Sequence, residues 1–337
     1  MNPANRYESL HVERDADAET APAPTVFYRD TSRSVLAENA SPDVGFRFSV
    51  NPYRGCEHGC VYCYARPSHE YLGFSAGLDF ERRIMIKEDA PELLRAAFRA
   101  RSWRPEVVAL SGNTDSYKPN ERQLRITRRC LEVFLEFRNP VSTITKSALV
   151  ARDADLLAAL AGHGAAQVFL SVTTLDAALA RRLEPRAPSP ERRLDAIAAL
   201  SKAGVPVGVM VAPVIPGLTD SEIPRILAAA AAAGARAAGW VLLRLAKPID
   251  ALFDQWLTDH FPERRARVLN YIRSTRDGRV SDSTFGRRMR GTGPYAEQIA
   301  ALFNAAARKH GLAKPLPPLS TAAFRRPPEV GDQMRLL

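Results

Sequence analysis

The sequence predicts an α/β fold, a partial (β/α)6 barrel with an N-terminal extension and a helical C-terminal extension. Three observations carry this. Short Val- and Ile-rich runs alternate with helical stretches six times between Phe48 and Leu245, which implies a parallel sheet with helices outside. The runs are nearly continuous in apolar residues, as strands buried on both faces are. Six units, where a closed barrel has eight, leave the barrel open, and in such barrels chemistry collects at the carboxyl ends of the strands.

The elements follow in order. Residues 1–42 are polar, acidic and rich in Pro and Ala, without a clear period, and predict an extended or disordered lead-in. Phe48–Asn51 reads as the first strand and runs into a cysteine-rich loop. Ala90–Ala100 reads as a helix with Pro91 in its first turn. Strand Val107–Leu110 precedes a helix over Glu121–Phe137 whose apolar face is Leu124, Leu131 and Leu135. Strand Val141–Ile144 precedes helix Asp153–Ala161, and strand Val168–Val172 precedes the short helix Leu175–Leu183. Helix Pro190–Ala203 stops at Gly204. Strand Val205–Val211, helix Glu222–Ala233 and strand Trp240–Leu245 complete the series. Beyond it, Asp250–Asp259, Arg264–Ser274 and Tyr295–His310 read as helices, with a Gly-, Ser- and Arg-rich loop at Asp277–Pro294. The domain reading is a lead-in over 1–42, a core over 43–248, a helical extension with a basic loop over 249–312, and a loose proline-containing tail over 313–337.

Apolar residues make up 46% and charged residues 25% of the 337 positions, an ordinary globular balance. The uncharged run between Lys202 and Asp220 is broken by Pro206, Pro213 and Pro216, so it fits strand and loop better than a membrane span. Met1–Leu10 has no apolar h-region, and the expected location is the cytoplasm. The net charge is +10 and the pI about 9.7, yet only seven of the 47 basic residues are Lys. A basic surface favours nucleic acid or another anionic partner. A codon bias towards Arg and Ala explains the same composition. Neither a P-loop motif nor H-E-x-x-H is present.

Three of the four cysteines fall in Asn51-Pro-Tyr-Arg-Gly-Cys56-Glu-His-Gly-Cys60-Val-Tyr-Cys63-Tyr-Ala-Arg66. Clustered thiols without an exported disulfide pattern point to metal. With C-x3-C-x2-C spacing, three thiolates can ligate three irons of a [4Fe–4S] cubane and leave the fourth iron open. An open iron can chelate the amino and carboxylate groups of S-adenosylmethionine (SAM), whose reductive cleavage gives a 5′-deoxyadenosyl radical. The other reading is a zinc site completed by His58 or His69, although structural zinc usually shows C-x2-C pairs separated by a longer span.

This loop resembles that of the radical SAM superfamily. Together with Ile144–Ser147 (ITKS), Glu184–Arg193 (EPRAPSPERR) and Ala212–Glu222 (APVIPGLTDSE), it resembles a DNA repair photolyase-like bacterial subgroup related to spore photoproduct lyase. The resemblance covers roughly residues 43–245. It implies a radical SAM enzyme, lyase- or oxidoreductase-like, with a [4Fe–4S] cluster on Cys56, Cys60 and Cys63, and an electron donor of flavodoxin or ferredoxin type. It also implies a SAM site. Tyr62 would lie beside adenine, and Ser111, Asn113 and Asp115 would meet the amino group where the superfamily usually has Gly-Gly-Glu. Lys146 would pair with the carboxylate and Ser171 would bond the ribose. Ala212 and Arg244, at the ends of the fifth and sixth strands, would pack around adenine. Duller roles also suit these residues: Asp115 as the cap of a helix near Asn120, Glu184 and Arg186 as loop braces, and His58, His69 and Glu70 as supporting or surface groups.

Spore photoproduct lyase uses a cysteine near the second strand end as hydrogen donor. Leu110 and Ser111 stand there in this chain, and Cys130 falls in the next helix at a position that reads as core. The arginines between Arg276 and Arg290 suggest a loop that folds back over the barrel mouth to hold a polyanion. The alternative function is a metal-stabilised nucleic-acid-binding protein without radical chemistry.

Overall fold

The structure, a computed structural model, describes residues 1–7 and 24–328. Its main sheet has seven strands: β2 (Leu36–Glu38), β3 (Phe48–Val50), β6 (Val108–Leu110), β7 (Val141–Thr145), β8 (Ala166–Ser171), β9 (Val207–Val214) and β10 (Ala237–Leu242). The order is β10-β9-β8-β7-β6-β3-β2. Six strands are parallel and lie side by side in chain order. Each crossover therefore steps the same way, which winds helices onto one side and curls the sheet. The six are those the sequence predicts. They form an open barrel, with β2 added antiparallel to β3 at one edge and β10 at the other.

Val108, Leu110, Val141, Val168, Leu170, Val207 and Val209 are fully buried, which is why these stretches read as unbroken apolar runs. Helices α2 (Ala90–Arg99), α4 (Ile126–Phe137), α5 (Ala154–Ala161), α7 (Pro190–Lys202) and α8 (Ile223–Ala232) accompany the strands. Phe98, Phe134 and Phe137 meet edge to face between α2 and α4.

Two departures from the sequence reading have clear causes. The helix expected over Glu121–Phe137 is broken into α3 (Glu121–Leu124) and α4 by Arg125, at φ 52°. Glu121 is fully buried and its carboxylate accepts from the Thr127 amide at 3.1 Å and from Arg152 at 2.8 Å. It acts as a side-chain cap that restarts the helix, and Leu124 is left exposed. The described parts of the lead-in are also tied down. Strand β1 (Val26–Arg29) pairs in parallel with β5 (Arg83–Ile86), which pairs with β4 (Tyr53–Arg54) to form a three-stranded sheet beside the cysteine loop. Arg6 forms a double hydrogen bond with the buried carboxylate of Glu70. Residues 8–23 of the predicted lead-in lie outside the described residues.

After β10 come α9 (Ile249–His260), α10 (Pro262–Ser274) and α11 (Pro294–Lys309), the last lying along α8. The described part of the expected loose tail is irregular but anchored. The Arg325 amide donates to Phe137 O at 2.9 Å, and Arg326 donates to Trp103 O at 2.8 Å. No helix among the described residues is long and apolar enough to cross a membrane.

Candidate functional site

The cysteine loop leaves the carboxyl end of β3. Cys56 and Cys60 are buried, Cys63 is half-buried, and all three are free thiols. Two glycines shape the loop. Gly55 and Gly59 have φ of 77° and 70°, the left-handed region open to glycine. A Cβ at Gly55 would stand 2.8 Å from Phe80 O, and one at Gly59 2.6 Å from the Arg186 guanidinium. Arg66 is buried and gathers the loop's carbonyls, donating to Cys60 O at 2.9 Å and Gly77 O at 2.8 Å, and pairing with Glu81 at 2.5 Å. From the far side Arg186 donates to Glu57 O and to Glu81, and its amide donates to His58 O at 3.1 Å. The brace role suggested for Arg186 is the one observed.

Burial pushes the Cys56 thiol up to about 12 and raises those of Cys60 and Cys63, so a bare thiolate is disfavoured and a positively charged ligand is needed to hold one. Two ammonium groups border the thiols. Lys146, at the end of β7, lies 5.7 Å from the Tyr62 ring centre. Burial lowers its pKa, but Cys60 and Glu184 outweigh that and raise it overall. Lys118, on the other side, is fully buried, and burial pulls it down to about 8. Among the described residues no three His, Cys, Asp or Glu side chains are gathered as ligands of a single metal ion. A cubane asks for something different, since each thiolate binds its own iron. Three thiols on one loop, flanked by cations, fit that demand.

Opposite the loop stands Glu184, fully buried. It accepts from Tyr62 Oη and Arg193 and from Thr173 Oγ1 at 2.7 Å. Burial alone would raise its pKa, but Arg193 and Lys146 hold the carboxyl down at about 2. Arg193, itself buried, also donates to Ser171 O at 3.1 Å and Pro188 O at 2.9 Å. Thr173 donates further to Ala212 O at 3.2 Å. Tyr62, Lys146, Ser171 and Ala212, on the cysteine loop and at three strand ends, are thus drawn around one carboxylate.

The other expected residues sit as follows. Ser111 has φ 80°, and its Oγ accepts from the Ser116 amide at 2.9 Å. Asn113 is exposed; its amide donates to Asn51 Oδ1 at 2.8 Å, and its side chain to Ser68 Oγ at 3.3 Å, so it bridges the second strand's loop to the cysteine loop. Asp115 accepts from Thr145 Oγ1 at 2.7 Å, the Lys146 amide at 2.8 Å and the Tyr117 amide at 2.9 Å. It fixes the end of β7 and is not the cap of the helix near Asn120. Arg244 stands at the rim, 5.8 Å from the Tyr64 ring centre, apart from the Glu184 group. His58 is buried with Nδ1 3.5 Å from Asp115, and burial lowers its pKa to about 4. His69 lies between the Phe74 and Phe80 rings, and Glu70 serves Arg6.

The basic loop runs along the outer edge of β10, where Met289 O accepts from the Leu242 amide at 2.9 Å, and most of its arginines are already engaged. Arg276 is buried and donates to Leu243 O at 2.7 Å. Arg287 pairs with Asp277 and Arg288 with Asp43. Arg279 is exposed and Arg290 lies over Trp240, 4.5 Å from the ring centre. Sequence reasoning missed Lys118 and Thr173, and quoted Arg193 as the end of a motif without giving it a role; nothing in the local pattern marks these side chains as buried.

An open, singly wound α/β barrel with a buried three-thiol loop at the end of its first strand defines the radical SAM class of fold. The sequence profile of the radical SAM superfamily matches residues 50–230, and the chain belongs to that superfamily. An uncharacterized protein of Mycobacterium tuberculosis is 37% identical over 281 residues, covering 83% of this chain and 80% of its own. An uncharacterized protein of Methanocaldococcus jannaschii is 30% identical over 178 residues, 53% of this chain and 64% of its own. Among solved structures, spore photoproduct lyase complexed with dinucleoside spore photoproduct superposes with a TM-score of 0.62 at 16% identity, over 85% of this chain and 81% of that one. At that identity the likeness is one of fold.

Proposed function

We propose that the protein is a radical SAM enzyme that holds a [4Fe–4S] cluster on Cys56, Cys60 and Cys63 and reductively cleaves SAM. The observation that carries this reading is the loop itself: three free thiols, two buried and one half-buried, whose backbone is clamped by Arg66 on one side and Arg186 on the other. The bound cluster and SAM would supply the radical chemistry; the protein supplies position and charge. Lys146 binds the SAM carboxylate, and Asp115 fixes the strand end from which Lys146 projects. Ser111 and Asn113 line the amino-group end. Tyr62, tethered by Glu184, packs at the adenine with Ala212, and Ser171 lies towards the ribose. Arg244 closes the rim.

The substrate reading is a nucleic-acid-derived or other anionic molecule. It draws on the basic surface and on the fold neighbour's dinucleoside ligand. Arg279 and Arg290 are the loop arginines left to meet it. The hydrogen donor differs from that of spore photoproduct lyase, because Leu110 and Ser111 occupy the second strand end and Cys130 is sealed in the core. An electron donor of flavodoxin or ferredoxin type completes the scheme, and residues 43–248 form the catalytic unit. The test is anaerobic reconstitution: the protein should turn brown and, with dithionite, convert SAM to 5′-deoxyadenosine. A colourless protein with stoichiometric zinc would overturn the proposal.

A further inference from the structure

Lys118 follows β6 in the segment that leads to α3, and its side chain is 0% exposed. Its ammonium donates to Gly55 O at 3.2 Å and sits 4.3 Å from the centre of the Tyr53 ring. A lysine has three donors and a full charge, and burying both is unfavourable unless an anion shares the site. The carboxylates near enough to act on it, Glu57, Asp115 and Glu121, hold hydrogen bonds to other groups. Glu57 accepts from the Asn120 amide at 3.1 Å, Glu121 from Tyr53, Thr127 and Arg152, and Asp115 from Thr145 and Lys146. Cys56, the residue after Gly55, is the neighbour whose charge depends on a metal. A metal-bound cysteine carries the negative charge that a free thiol lacks.

We infer that Lys118 is a positioning residue for the iron–sulfur cluster. Its ammonium, fixed by Gly55 O and the Tyr53 face, balances the Cys56 thiolate and favours the reduced state of the cluster. The inference rests on the reading of Cys56 as a cluster ligand. An electron delivered by an external reductant adds negative charge to the cluster, and a fixed cation beside one sulfur raises the potential at which that electron is accepted. In the chain without a cluster the ammonium answers only to the carboxylates of Glu57, Asp115 and Glu121. Lys118 therefore gains an anionic partner when the cluster loads, so removing it costs the loaded protein more than the unloaded one, a difference that a packing role does not produce.

The experiment compares wild type with Lys118→Met, which keeps bulk, and Lys118→Gln, which keeps a donor for Gly55 O but removes the charge. Each is reconstituted anaerobically, assayed for iron, and titrated with dithionite while the reduced cluster is followed by electron paramagnetic resonance. Thermal unfolding of each protein, loaded and unloaded, is measured in parallel. At a fixed potential both variants should show a reduced-to-oxidised ratio about tenfold lower than wild type, a midpoint lower by about 59 mV for one electron. Both should lose more melting temperature against wild type when loaded than when unloaded. Unmoved midpoints in loaded protein overturn the inference alone. So do variants that fail to fold or that lose as much melting temperature unloaded as loaded, since these make Lys118 a structural residue. Wild-type protein that takes up no iron overturns the cluster reading, and this inference with it.

Discussion

Arg288 reaches across the open side of the barrel to Asp43, 245 residues earlier in the chain. Arg288 follows β10 and Asp43 follows β2, so the pair ties the regions behind the two edge strands of the sheet. The Gly286 amide adds a second bond to Asp43 at 2.6 Å. Together the Gly286 amide and Arg288 hold the Asp43 carboxyl below its ordinary value of 3.8. A depressed acid contributes stability that is fully present above 3.8 and lost as pH falls through the lower, folded value. Asp43→Asn should therefore speed amide hydrogen exchange at Gly286 at neutral pH, and wild type should approach the variant's rate only in strong acid. Equal exchange in the two proteins at neutral pH would remove the tie.

Replacing Cys56, Cys60 or Cys63 with Ala should abolish the brown chromophore and SAM cleavage. Cys130→Ala should keep both and lose only about 1 kcal/mol of stability, the scale of a small core truncation. The checks are iron content, absorbance and urea unfolding. Cluster loss in the Cys130 variant would show that the ligand set is misassigned.

A charge-assisted hydrogen bond from Lys146 to the SAM carboxylate is worth roughly 1.5–3 kcal/mol. Lys146→Ala should weaken SAM binding by about tenfold or more with the cluster retained. Calorimetry on loaded protein reads this directly, and unchanged affinity would sink the assignment.

Glu184 and Arg193 are both sealed from solvent, with side chains 0% and 1% exposed. Removing one partner of such a pair leaves the other charge bare, at a cost of about 3–5 kcal/mol. Glu184→Ala should show that loss in chemical denaturation. Glu184→Ala combined with Arg193→Met should recover part of it. A single variant as stable as wild type would mean that the pair is not closed in solution.

If nucleic acid binds the mouth, Arg279→Ala with Arg290→Ala should flatten the salt dependence of binding by up to about two contacts. Arg287, held by Asp277, should contribute less to the slope. A titration at several salt concentrations that ranks Arg287 first would contradict this.

The six parallel strands were legible because their buried positions gather Val, Leu and Ala into short runs, as in Val108–Leu110 and Val207–Val214. The cysteine loop was legible because its ligands are adjacent in sequence. Edge strands were not. Every residue of Val26–Arg29 is exposed, so its composition carries no burial signal. Nor was the break at Arg125, since its cause is Glu121 reaching Tyr53, a partner 68 residues away. The Glu184 group was half visible. The EPRAPSPERR motif stood out and contains both Glu184 and Arg193, but their pairing and the approach of Thr173 arise only once β8 and α7 are packed. Long-range partners of single polar residues leave no periodicity to read.

Arg186, which clamps the carbonyl of Glu57, comes 129 residues after it in the chain. A ribosome making about 5–20 residues per second needs roughly 6–26 s to cover that distance. For nearly all of that interval Cys56, Cys60 and Cys63 have been synthesised while half of their clamp does not yet exist. A metal centre delivered in that time would meet the thiols before Arg186 could close over them.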